Sequence, residues 1–271
     1  KHADQWINTL RTYVFPTLGK RRVSDISIAD VLNVLKPIWN TKHETATRVR
    51  QRMGDVFKWS IAQGWRTDNP IVSVTEILPK VSKSKVQARK ALDYEKVSTF
   101  LSDLQTRPSN PLTKLALEFL ILTATRSGEV RGAEWSEVDL AKAEWTIPAD
   151  RMKAAAEHRV PLTQRMMEIL EAAKTMSGNR SLIFPGPSGV KPLSENTFQK
   201  LVREMGYHVH VHGFRSSFRT WAQDHTEYAR EVVEAALAHQ EGNKVVAAYA
   251  RSDLFNKRKN LMIEWEAWAL K

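Results

Sequence analysis

Attack on a phosphodiester builds negative charge on the nonbridging oxygens, and planar, permanently charged guanidinium forks match that charge best. A tyrosine hydroxyl can hold the phosphorus covalently, a base must assist it, and an acid must protonate the leaving oxygen. Metal-free phosphoryl transfer therefore asks for two Arg, a Lys, one or two His and a Tyr. The 271-residue chain carries that set in clusters. Arg126 lies in a turn within LTATRSGEVRGAEW, with Glu129 three residues on, placed to orient the loop. Lys153 lies in DRMKAAAE, which reads as a hairpin loop. HVHVHGFRSSFRTWA holds His212 and Arg215, three apart across a helix start, so both can face one way. His239 stands in LAHQEG, and Tyr249 follows ten residues later in VVAAYARSD. Taken singly, each is ordinary: a surface ion pair, a solvated loop lysine, hydrogen-bonded histidines, a half-packed tyrosine. Their order and spacing make the case.

Other chemistries lack their residues. The chain has no GxxxxGK[ST] phosphate loop, no GxGxxG, no HExxH and no metal-spaced group of carboxylates, so neither a cofactor nor a metal is expected. With no Cys, disulfide scaffolds, thiol nucleophiles and Cys-ligated zinc are excluded, and a reducing cytosol is permitted. No apolar run approaches the roughly 18 residues of a membrane span, and no signal peptide opens the chain. The first residue is Lys1 rather than Met, so the chain reads as a piece of something longer.

The elements that must position these residues divide by charge. Of the net +11, residues 1–90 carry +10, from 17 Lys+Arg against 7 Asp+Glu, which points to a polyanion partner, most simply nucleic acid. Helices are expected at 2–13 and from Ser27, capped with Asp30, to about Leu35 before Pro37. A third runs from Thr45, where Val49, Met53, Val56, Phe57 and Ile61 recur at helical spacing, to Gly64. Arg48, Arg52 and Lys58 lie off that stripe, either as a solvated basic face or as phosphate contacts. Pro70 is expected to end the bundle. Residues 78–92 hold Lys83, Lys85 and Arg89 among further basic residues and no acid, a basic linker that extended spans ~45 Å. Beyond it, helices are expected from Asp93 to Leu104 and at 112–123, then β-prone pieces at 133–139, 144–148 and 158–162. Helices follow at 163–175, 194–205, 213–224, 230–238, 244–250 and 255–269. The fold class is mostly α: a helical bundle, then an α+β domain with one small antiparallel sheet. Leu254, Leu261, Met262, Trp265 and Trp268 stripe the last helix.

LTATRSGEVRGAEW, WTIPADRMKAAAEHRVPLT, HGFRSSFRTWA, LAHQ and AAYAR together resemble the tyrosine recombinases of the phage integrase type, near the satellite-phage and genomic-island integrases, over essentially the whole chain. The resemblance implies a site-specific DNA recombinase that integrates or excises a mobile element through a 3′-phosphotyrosyl intermediate. By it, Arg126 and Arg215 clamp the scissile phosphate, Lys153 protonates the leaving 5′ oxygen, and His212 serves as base and phosphate contact. His239 donates to the phosphate, Tyr249 attacks, and Glu129 supports the site. Many relatives have Gly where Ala124 stands, as in TGxR. The resemblance also implies a SAM-like core-binding domain at 1–78, a linker at 79–92 and a catalytic domain at 93–271, closing as a C-shaped clamp on the duplex, without the usual N-terminal arm-binding domain. Its expected DNA contacts are Arg48, Arg52, Lys58, Lys83, Lys85, Arg89 and His158. Implied partners are double-stranded attachment sites, a homotetramer on paired sites, an excisionase and a DNA-bending host factor, in the bacterial cytoplasm at the nucleoid, with no membrane. The last helix then docks on its own domain or on a neighbouring protomer. A type IB topoisomerase uses a similar residue set, and a silent DNA-binding protein would keep the folds without the chemistry.

Overall fold

The computed structural model describes residues 2–79, 90–239 and 252–271. Tyr249, Lys83, Lys85, Arg89 and the helix expected at 244–250 lie outside the described residues. The chain forms two compact units, residues 1–87 and 88–271. Among the described residues no helix is long and apolar enough to cross a membrane.

The first unit is helical: α1 (His2–Tyr13), α2 (Phe15–Leu18), α3 (Ile28–Trp39), α4 (His43–Ala62) and α5 (Pro70–Ile77). Ser27 and Asp30 form the expected capping box, with Ser27 N–H donating to Asp30 Oδ2 at 2.9 Å and Asp30 N–H to Ser27 Oγ at 3.3 Å. Two proline expectations fail. α3 runs through Pro37 to Trp39, because Trp39 is buried and its indole N–H donates to the Pro79 carbonyl at 2.9 Å, holding the turn beyond the proline. Pro70 opens α5 rather than ending the bundle, as a first-turn proline loses no helical bond, and Asn69 caps it by accepting from Ile71 N–H at 3.1 Å. Val31, Leu35, Val49, Met53, Phe57 and Val74 make the core.

The second unit is built around α7 (Pro111–Thr123), apolar nearly all round and buried over Ala116–Thr123. α6 (Val97–Thr106), α8 (Ser127–Arg131), α9 (Gln164–Ser177), α10 (Thr197–Glu204), α11 (Gly213–His225), α12 (Arg230–Ala236) and α13 (Phe255–Ala269) surround it. The sheet is an antiparallel meander of β1 (Val138–Asp139), β2 (Glu144–Ile147) and β3 (His158–Pro161), with Trp145 opposite Val160. β1 is shorter than the expected 133–139, whose first part holds an isolated bridge from Glu134 to Leu182 and a 3-10 turn at Trp135–Glu137.

α13 docks on its own domain. Leu261, Met262 and Trp265 are buried in the core, and the Trp265 indole N–H donates to the Ile121 carbonyl at 3.0 Å, satisfying an acceptor in the last turn of α7. Glu266 in turn caps α9 from outside it, accepting from Arg165 N–H at 3.2 Å and from the Thr163 hydroxyl.

Candidate active site

α7 ends at Ala124, which adopts a left-handed conformation with φ 51°. The chain then reverses, and Arg126 begins α8. Its backbone N–H donates to Glu129 Oε2 at 2.7 Å and its Nη1 to Glu129 Oε1 at 2.8 Å. One buried carboxylate thus closes the turn and aims the guanidinium, as the three-residue spacing suggests.

Arg215 arrives from the first turn of α11. That helix starts at Gly213, where a Cβ would come within 2.7 Å of Ala91 Cα, so the close approach of residues 90–91 needs glycine there. Arg215 is 4% exposed. Its Nη1 donates to the Ala124 carbonyl and its Nη2 to the Leu237 carbonyl at 2.5 Å. Its buried Nε finds no acceptor among the described residues. Burial first, then the neighbouring charge of Arg126, pushes Arg215 down to about 10, so it keeps its proton at neutral pH.

α12 closes in a Schellman turn. Ala238 N–H donates to the Ala235 carbonyl and His239 N–H to the Glu234 carbonyl, both at 3.0 Å, with Ala238 at φ 48°. The turn swings His239 back over its helix. His239 Nδ1 lies 2.6 Å from Glu234 Oε2, and its Nε2 lies 3.1 Å from Arg215 Nη2. A carboxylate only accepts, so Nδ1 carries the proton and Nε2 takes the Arg215 donor. Burial works to raise the Glu234 carboxyl, but hydrogen bonding to His239 and the charge of Arg219, 2.7 Å away, hold it below the usual range.

The end of α12 organises the site. The Leu237 carbonyl takes Arg215, the Ala238 carbonyl lies 3.5 Å from Arg126 Nη2, and the Ala236 carbonyl faces His158. The negative end of a helix thus gathers two guanidinium groups. The charge of Arg126 bears on Arg215, and among the described residues the Glu129 carboxylate bonds to Arg126, an arrangement suited to a bound oxyanion.

The remaining expected residues fall into three groups. Lys153 is exposed on the loop between β2 and β3, and His212 is exposed at the N-terminal cap of α11, its carbonyl accepting from Arg215 N–H at 3.3 Å. Arg48 and Lys58 are exposed on α4, beside Glu44 at 2.9 Å and Asp55 at 3.6 Å. Two expectations are corrected. Arg52 is not on an open basic face: it is 7% exposed, and its Nη1 donates to the Gln5 carbonyl at 2.9 Å, tying α4 to α1. His158 is not on an open surface: it is 8% exposed, and burial, then the charges of Arg258, Arg215 and Arg126, push its imidazole down to about 3.

Glu234 and the α12 carbonyls were not among the expected site residues. Glu234 stands five residues before His239, outside the usual three-or-four pairing, and Ala238 occupies the left-handed position where glycine would have announced the turn. Among the described residues no three His, Asp or Glu side chains converge as metal ligands.

Comparison with known proteins places the whole chain among related sequences and folds. Residues 1–76 match the phage integrase central domain, and residues 90–254 match the phage integrase family. The integrase of Enterobacteria phage P4 is 30% identical over 286 residues, covering 99% of this chain and 64% of that protein. Prophage integrase IntZ of Escherichia coli is 33% identical over 241 residues, covering 88% of this chain and 59% of that protein. The chain therefore spans about two thirds or less of these two relatives. Among solved structures, a lambda integrase(75–356) dimer bound to a COC′ core site matches with a TM-score of 0.69 at 19% identity, over 88% of this chain and 87% of that one. The Tn1549 transposon integrase (residues 82–397), in complex with circular intermediate DNA, matches at 0.68 and 13% identity, over 93% and 90%.

Proposed function

Because the chain belongs to the phage integrase family, we propose that it is a site-specific DNA recombinase that cuts and rejoins DNA through a covalent phosphotyrosine. The observation that carries the reading is the neighbouring pair Arg126 and Arg215, with Arg215 buried and, among the described residues, its Nε without an acceptor and Glu129 bonded to Arg126. Such a pair is costly when empty and is relieved by a phosphate.

In the reaction the two guanidiniums hold the nonbridging oxygens of the scissile phosphate and take up the charge that builds there. The Tyr249 hydroxyl attacks phosphorus and loses its proton with help from His212. The bond to the 5′ oxygen breaks, and Lys153 supplies that oxygen with a proton. Glu234 holds His239 through Nδ1, and in its imidazolium form the ring turns its Nε2–H from the Arg215 contact to donate to the same phosphate. The products are a 3′-phosphotyrosyl bond and a free 5′ hydroxyl, and attack by a 5′ hydroxyl from a partner strand reverses the step. Phosphodiester energy is conserved in the covalent link, so no nucleotide is consumed.

The first unit serves as the core-binding domain, with Arg48 and Lys58 as contacts to the DNA backbone and Lys83, Lys85 and Arg89 continuing the basic track. The relevant assembly is four protomers on two double-stranded attachment sites, an arrangement supported by the lambda integrase tetramer bound to a Holliday junction. Excisionase and a DNA-bending host factor complete it, in the bacterial cytoplasm.

The test is a nicked attachment-site duplex incubated with the protein in EDTA and run on a denaturing gel. A protein–DNA adduct is expected, absent in Tyr249→Phe, which still binds. An adduct that survives in Tyr249→Phe puts the nucleophile elsewhere. Binding without any adduct, in the full-length chain as well, overturns the enzymatic reading.

A further inference from the structure

Arg151 stands two residues before Lys153, and nothing in the mechanism above uses it. Its guanidinium joins three pieces of the second unit. Nη1 donates to Glu137 Oε1, and Nη2 donates to the Glu129 carbonyl. Glu137 is itself fixed, because its Oε2 accepts the Trp145 indole N–H at 2.9 Å and its side chain is only 9% exposed. Glu129 is the residue that aims Arg126. One side chain thus connects the loop after β2 to the turn before β1 and to the helix that carries Arg126.

The surroundings are shaped to this contact. Gly132 has φ −102°, a conformation open to any residue, so its backbone does not require glycine. A Cβ there would come within 3.1 Å of Arg151 Nη2. The missing side chain leaves room for the guanidinium. On the other side Met152 is 5% exposed and packs into the core. Residues 151 and 152 are therefore both anchored, one by ionic hydrogen bonds and one by burial. Lys153 is the first exposed residue of the loop after two fixed ones.

We infer that Arg151 is a positioning residue: it sets the base of the hairpin loop in register with the Arg126 turn, so that the acid on Lys153 and the clamp on Arg126 address the same phosphate. This rests on the reading of Lys153 as the general acid. General acid catalysis contributes ~10²–10⁴-fold and depends on hydrogen-bond reach, and misplacement by about 1 Å can cost ~10²-fold. A lysine in place of Arg151 keeps the charge but cannot span two acceptors in a planar fork.

The experiment compares Arg151→Lys with the parent on two attachment-site duplexes, one ordinary and one with sulfur replacing the bridging 5′ oxygen at the scissile phosphate. A thiolate leaves without being protonated, so the second substrate needs no acid. On the ordinary duplex Arg151→Lys is expected to slow covalent-adduct formation by about 10- to 100-fold, with DNA affinity within about twofold of the parent. On the sulfur duplex the variant is expected within about threefold of the parent. Equal slowing on both duplexes, no slowing on either, or a loss explained by weaker binding overturns the proposal.

Lys153→Ala on the same pair separates the two readings. If sulfur fails to restore Lys153→Ala, the general-acid reading itself falls. If sulfur restores Lys153→Ala but not Arg151→Lys, that reading stands and the positioning role of Arg151 falls. Should Arg151→Lys not fold, Gly132→Ala carries the test. It leaves every polar group in place and displaces only the guanidinium. A smaller loss on the ordinary duplex, restored by sulfur, is expected, and identical behaviour to the parent on both duplexes overturns the inference.

Discussion

Buried arginines occur in both units, and the company they keep differs. In the first, Arg66 stacks on Phe57 at 4.6 Å, donates to the Val23 carbonyl at 2.8 Å and to the Asp68 carbonyl at 2.7 Å, and pairs with the Asp68 carboxylate at 3.0 Å. Its charge is met by its own unit, and it acts as a fastener. In the second, Arg215 feels the charge of Arg126, the Glu129 carboxylate is bonded to Arg126, and one buried donor of Arg215 has no acceptor among the described residues. A guanidinium's burial therefore says little about function. What marks a receptor is positive charge assembled beyond what the protein itself neutralises.

The contrast can be pressed by mutation. Arg215→Ala should cut adduct formation by ~10²-fold or more while DNA binding falls far less, measured by suicide-substrate kinetics beside a binding titration. Parallel losses in both would make Arg215 a fastener after all. Arg66→Ala should do the reverse. It should lower the unfolding free energy by about 2–3 kcal/mol in denaturant titration, through lost charged hydrogen bonds and the ring contact, with cleavage per folded molecule unchanged.

A smaller effect is expected at Ala124, whose carbonyl holds Arg215. Glycine adopts φ 51° without the Cβ clash, so Ala124→Gly should stabilise the second unit by about 1 kcal/mol in thermal melts and leave the adduct rate near that of the parent. The smallest is a pH effect away from the site. Arg159, by hydrogen bonding, holds the Glu144 carboxyl below its usual 4.5. The stabilisation from that lowered value is complete above pH 4.5 and is lost as pH falls through it. Melting temperature should therefore drop less steeply in Glu144→Gln than in the parent below that pH.

Local signals with a single physical cause were readable in the sequence. The Ser27–Asp30 box, the apolar stripe of α4, the helix over 112–123 and the spacing of Arg126 to Glu129 each have their expected structure. The misreadings share a cause, in that residue type overrode position. Arg52 stands three after Val49 and four before Val56, on the buried side of α4, and its charge disguised that. His158 alternates inward with Val160 on β3, and its polarity suggested a surface. Pro37 reads as a stop because the tryptophan that carries α3 onward acts through a tertiary contact, whereas at Pro70 the local Asn69 cap, a helix-start signal beside a proline, was there to be read. The five residues of α8 are too few for any periodicity, and the gathering of His239, Arg126 and Arg215 at one helix end depends on folding across more than 100 positions.

The burial of Trp265 has a consequence for how the protein is made. Synthesis runs from the N-terminus, and the first unit can close its core while the second is still emerging. The second cannot. Its central helix ends on a carbonyl that also accepts from an indole 144 positions later in the chain, and Leu261 and Met262 fill the same interior. Until residues 255–269 leave the ribosome, the Arg126–Arg215 pair has no finished scaffold, so under the proposed function any strand cleavage waits for the last helix.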